Sequence, residues 1–169
     1  QVEVALALAP LSPVVHAVMA DCWLDLGEQD EAEFSLWRSL ELGGTTRGHL
    51  VAGRVALRSG APEEALTWSL RAERFRSNSL RVVALQAEAL RQVGRGAEAL
   101  EVLSRTRPLM SDDPEVMAVR MRVLADLQRW PSLAEEEHRA RAVYASSRIV
   151  GETLIWLDQV APARAGRER

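Results

Sequence analysis

Three short segments of the chain return at a nearly constant interval: LGEQDEA at 26–32, SGAPEEA at 59–65 and VGRGAEA at 93–99. Each sets a glycine, then a short turn, then Glu-Ala. The glycines Gly27, Gly60 and Gly94 stand 33 and 34 residues apart. A period of this length constrains the fold more than any other feature of the sequence. One such unit is too small to bury its own apolar face, so neighbouring units must stack on one another. A further step of 34 lands on Gln128, within LQRWPSLA. That unit lacks the glycine and the Glu-Ala but keeps the turn, with Leu133 where the alanine would stand.

Within each unit the pattern predicts two amphipathic helices joined by a tight turn. Glycine closes the first helix, because it adopts the left-handed cap conformation at little cost. Acidic residues open the second, where they face the positive end of the helix dipole. Ala32, Ala65 and Ala99 are small enough for the two helices to approach closely. Pro13 and Pro114 fall at unit starts, and proline suits a first helical turn. No alternating strand pattern is present. The spacing predicts one repeat domain over 1–160, with units at 13–45, 46–79, 80–113 and 114–147. Residues 1–12 read as the end of a preceding partial repeat, 148–160 as a capping helix and 161–169 as a flexible tail. The first residue is not methionine, which suggests a fragment or a processed product.

These residues resemble the tetratricopeptide repeat family, whose unit is a 34-residue helix-turn-helix. The resemblance covers about residues 13–147. It departs from the family pattern where a tryptophan often opens the unit, since His16, His49, Val83 and Met117 stand there. The resemblance implies an all-α fold, a right-handed superhelical solenoid with the first helix of every unit on its concave wall. It also implies a non-enzymatic scaffold or adaptor that binds a protein or peptide. The alternative is the sensor or regulatory arm of a larger transcriptional regulator. The related RNA-reading repeats of 35 residues do not match this period.

Composition narrows the function further. The 169 residues are 47% hydrophobic and 27% charged, as folded proteins are. A net charge of -3 speaks against direct nucleic-acid binding, which needs a basic surface. Aromatic content of 5% speaks against a base-stacking platform. No run of about 18 apolar residues predicts membrane insertion. All 21 basic residues are arginine, as a GC-rich bacterial genome would encode. A cytoplasmic location is expected, with the periplasm left open by the truncated start. Open ends of a solenoid expose apolar surface, so self-association is a further expectation.

Candidate chemistry is sparse. Cys22, the single cysteine, reads as a buried structural thiol. His16 and His49 are 33 residues apart and share a packing position with Val83 and Met117, so no metal site is expected. Glu135, Glu136 and Glu137, followed by His138, Arg139 and Arg141, read as a solvated helix face. Trp23, Trp37, Trp68, Trp130 and Trp156 are assigned mostly to packing, with Trp130 as the candidate for an exposed contact. No phosphate loop, zinc spacing or nucleophile elbow occurs, and no cofactor is expected.

In the family the concave groove holds the partner. Groove positions recur along the first helix at spacings 3, 4, 3 and 1. They are Val14, Ala17, Asp21, Leu24 and Asp25 in the first unit, and Arg47, Leu50, Arg54, Leu57 and Arg58 in the second. The third unit gives Arg81, Ala84, Glu88, Arg91 and Gln92, and the fourth Glu115, Ala118, Arg122, Ala125 and Asp126. A basic patch of Arg47, Arg54, Arg58, Arg81 and Arg91 is predicted, with Leu50 and Leu57 between the charges. Guanidinium groups grip carboxylates at two points, so an acidic peptide or surface is the expected ligand. The competing reading pairs these arginines with neighbouring carboxylates. Family members that clamp chaperone tails use lysine and asparagine in the groove, and this stripe has neither.

Overall fold

The computed structural model describes residues 11–75, 79–105 and 113–160. Among them are nine helices and no strand: α1 (Pro13–Leu26), α2 (Gln29–Glu41), α3 (Thr46–Arg58), α4 (Pro62–Phe75), α5 (Leu80–Gln92), α6 (Gly96–Ser104), α7 (Pro114–Asp126), α8 (Trp130–Val143) and α9 (Arg148–Val160). The partial repeat at 1–12 falls almost wholly, and the tail at 161–169 entirely, outside the described residues.

Local chemistry sets the helix ends. Proline occupies the first turn of α1 and α7, where its missing N–H is not needed. Ser12, Thr45 and Asp113 cap α1, α3 and α7 by accepting hydrogen bonds from backbone N–H groups of the first turn. Asp30 and Glu31 open α2, Glu63 and Glu64 open α4, and Glu98 lies in the first turn of α6.

Each turn inside a helical pair has the same geometry. Gly27, Gly60 and Gly94 take φ of +86°, +73° and +81°. The next residue's N–H then reaches five residues back: Glu28 to Trp23, Ala61 to Ala56 and Arg95 to Leu90. The fourth turn repeats this with a residue that has a side chain. Gln128 adopts φ +55°, and Arg129 N–H bonds Leu124 C=O at 2.9 Å.

Packing follows the stacking that the period demands. The first helices of successive pairs touch in one row, α1 to α3, α3 to α5, α5 to α7 and α7 to α9. Each second helix packs against its own first helix, and α2, α4 and α6 also pack against the first helix that follows. The core is accordingly a chain of apolar clusters, each shared by three consecutive helices. One joins α1, α2 and α3 through Ala20, Leu24, Leu36 and Val51. Another joins α5, α6 and α7 through Leu90, Leu103, Val119 and Val123, and a third joins α7, α8 and α9 through Met121, Leu133 and Leu157. Ala32, Ala65, Ala99 and Leu133 are fully buried at the close approach of each pair. On the α3–α5 contact, a Cβ on Gly53 would fall 2.4 Å from a Leu85 methyl, so these helices touch where a side chain is missing.

His16 and His49 are buried, as a packing position requires. The His49 ring lies 5.7 Å from that of Trp68 and 5.0 Å from that of Phe75, and its Nδ1 is 2.7 Å from the Thr45 carbonyl oxygen.

Three side-chain expectations are corrected. Cys22 is exposed. It lies 33 residues before Val55, and the same position then holds buried Ala89 and Val123. Those residues are covered by the pair preceding their own, and no described helix precedes α1. The acidic run on α8 is not a solvated face. Glu137 is buried, and Glu136 lies 2.7 Å from Arg120 Nε, tying α8 to α7. Trp130 is partly buried against the α7–α9 cluster, whereas Trp37 is the exposed tryptophan, at 56%.

Candidate functional site

All five first helices contribute to one cavity of about 310 Å³. Asp21 and Asp25 come from α1, Arg47, Leu50, Arg54 and Arg58 from α3, Arg81 and Leu85 from α5, Glu115 from α7, and Arg148 and Ile149 from α9. The first helices of successive pairs thus converge on a single inner wall. The 3.6-residue turn keeps positions spaced by 3 or 4 on one face, which brings Arg47, Leu50, Arg54 and Arg58 into line.

Arg81 joins them in this cavity. Arg91 does not, for it lines a second one farther along the wall. Leu57 is absent from the lining of both and, half-buried, packs against Ala56, Ala65 and Ala89.

Most of the arginine charge is already engaged. Arg54 bonds both Asp21 and Asp25 of the preceding helix, and Arg47 Nε lies 3.9 Å from Asp21. Burial opposes the charge on Arg54, but the bond to Asp25 and the charges of Asp21 and Asp25 outweigh it and raise its pKa. Arg91 holds Glu88 at 2.8 Å and Asp126 at 2.7 Å. Burial works against its charge too, and the bond to Glu88 raises its pKa well beyond the ordinary value. Two arginines differ. Arg58 donates to the Leu24 carbonyl, and among the described residues neither Arg58 nor Arg81 forms an ion pair with a carboxylate.

Two inner carboxylates respond oppositely to similar depth. Burial by itself would raise the pKa of Glu88, but bonds from Arg91 and the charge of Arg122, 3.6 Å away, hold it below the usual range. Glu115, in the first cavity, is raised by burial, and the charge of Arg54 only partly offsets this.

The second cavity, of about 400 Å³, is lined by Arg91, Arg122, Ile149, Glu152, Thr153 and Trp156. The α9 residues were not among the sequence-predicted groove positions. The signal was present, since stepping 34 from Glu115 and Arg122 reaches Ile149 and Trp156.

Among the described residues, no helix is long and apolar enough to cross a membrane. The family model for the tetratricopeptide repeat matches residues 46–71 and 80–105. No curated protein matches the sequence. Solved structures do match. YrrB, described as a TPR protein with an unusual peptide-binding site, aligns with a TM-score of 0.63 at 16% identity, over 89% of this chain and 78% of YrrB. PilW, a widely conserved type IV pilus biogenesis factor, aligns at 0.56 and 13% identity, over 90% of this chain and 87% of PilW. PilF of Pseudomonas aeruginosa aligns at 0.52 and 15% identity, over 91% of this chain and 86% of PilF. Period, matched repeats and solenoid architecture agree: residues 46–71 and 80–105 match the tetratricopeptide repeat, and the chain has the fold of solved tetratricopeptide repeat solenoids.

Proposed function

We propose that the chain is a non-catalytic scaffold that holds an acidic peptide segment of another protein against its inner wall. The observation that carries this reading is the pair Arg58 and Arg81. Both line the cavity on which five helices converge, and among the described residues neither forms an ion pair, although the charge of Arg81 is felt by Glu115. A guanidinium without a salt bridge at such a site offers a two-point grip to an incoming carboxylate. Leu50 and Ile149 add apolar contact beside the charges. Arg47, Arg54 and Arg91 have a supporting part, since their existing ties to Asp21, Asp25, Glu88 and Asp126 hold the wall in shape. YrrB, a TPR protein of similar fold with an unusual peptide-binding site, supports peptide capture as a use for this architecture.

The test is fluorescence anisotropy with a fluorescein-labelled peptide of alternating Glu and Ser, against its Gln-Ser counterpart. Wild type is expected to bind the acidic peptide more tightly. Arg81→Glu should weaken that binding by about tenfold or more, because losing a charge-assisted bond costs about 1.5–3 kcal/mol. Arg38→Glu, on a second helix away from the wall, should leave it unchanged. Equal binding by wild type and Arg81→Glu would reject the proposal.

A further inference from the structure

The second cavity has a different chemistry from the first, although the two adjoin. Ile149 lines both. The polar groups of the second cavity are already engaged within the protein. Arg91 is held by Glu88 and Asp126, and Arg122 by Glu88 and by the Ala118 carbonyl at 3.3 Å. Thr153 turns its hydroxyl back to the Ile149 carbonyl at 2.9 Å. Glu152 lies 3.6 Å from Arg148 of its own helix. An incoming group therefore meets no unpaired arginine of the kind found in the first cavity. The apolar surface left to be covered, beside the exposed Glu152, is the side chain of Ile149, 37% exposed, and the ring of Trp156, which the α7–α9 cluster buries only in part. A space of about 400 Å³ accommodates a large apolar side chain.

We propose that the partner segment carries an aromatic or branched apolar side chain close in sequence to its acidic residues, and that Ile149 and Trp156 receive it. The proposal rests on the acidic-peptide reading of the first cavity and adds a second, apolar requirement to it. Close spacing follows because one residue borders both cavities. The helix α9 thereby acts as part of the binding wall as well as an end to the stack. Specificity arises from the conjunction: an acidic segment without the apolar residue leaves Ile149 and Trp156 wet, and an apolar segment without acid leaves Arg58 and Arg81 unpaired.

Three labelled peptides test this by anisotropy: the Glu-Ser peptide, and the same peptide with one Phe placed near its N-terminal or near its C-terminal end. One of the two Phe peptides should bind wild type roughly tenfold tighter than the plain peptide, the gain expected from burying one such side chain. Ile149→Ser should abolish most of that gain, read as the ratio of Phe-peptide to plain-peptide affinity within the same variant, because Ile149 also borders the first cavity. Trp156→Ala should do the same; because Trp156 also packs on the core, Ile149→Ser is the deciding variant, with thermal melts confirming its fold. No gain at either Phe position overturns the proposal and leaves the acidic-peptide reading standing. A gain undiminished in Ile149→Ser also overturns it. A plain peptide that does not bind wild type at all defeats the acidic-peptide reading, and this proposal with it. Dimers of wild type in light scattering that Ile149→Ser abolishes would assign the surface to a second copy, again overturning it.

Discussion

Glu115 and Glu88 occupy the same inner wall, yet burial decides one and its partners decide the other. Glu115 has its pKa raised on folding, so its ionised form costs stability. That cost is fully present above the folded pKa and vanishes as pH falls below the unfolded value. Glu88 has the reverse sign. Its contribution is present above the ordinary carboxylate value and is lost as pH falls through the depressed one. Glu115→Gln is therefore expected to stabilise the protein at neutral pH. The gain should shrink as pH falls toward the carboxylate range, as urea melts across pH will show. The same substitution removes a negative charge from the first cavity and should tighten the acidic peptide. Residue-level features such as these were legible only as positions. The stripe assigned Asp21, Arg54, Glu88 and Arg91 to one face, but a face does not say which charges meet. Cys22 illustrates the same limit. Its position in the period belongs to inter-pair packing, but exposure depends on whether a pair lies in front of it.

Elements were the most legible scale, because the glycine turn and the acidic first turn are local signals that need no partner. The turn at Gln128 was readable from the period alone, even with its glycine missing. It is also where the chain bears a local cost, since a residue with a Cβ in the left-handed region is disfavoured by about 1 kcal/mol or more. Gln128→Gly should relieve this and raise the melting temperature by about 2–4 °C. An unchanged or lower value in calorimetry would show that the Gln128 side chain offsets its own backbone cost. Helix α9 was read as a cap because it is apolar and last. Its contribution to the wall depends on α7, against which it packs, and on the curvature that brings it near α3 and α5.

At the scale of the molecule, the period implied a stack, and the stack implied a core divided into clusters, as found. What the period left open is how the inner surface is tied. Arg54 links α3 to α1, and Arg91 links α5 to α7, each by charge on the concave side. The apolar clusters between pairs carry no charge for dissolved ions to screen. Raising ionic strength should thus loosen the inside of the coil while sparing its packing. The expected sign is a larger radius of gyration in small-angle X-ray scattering at 1 M than at 0.05 M sodium chloride, with helical circular dichroism unchanged. A ligand rich in carboxylates would compete for the same guanidinium groups, so occupancy and the opening of the coil are mechanically coupled.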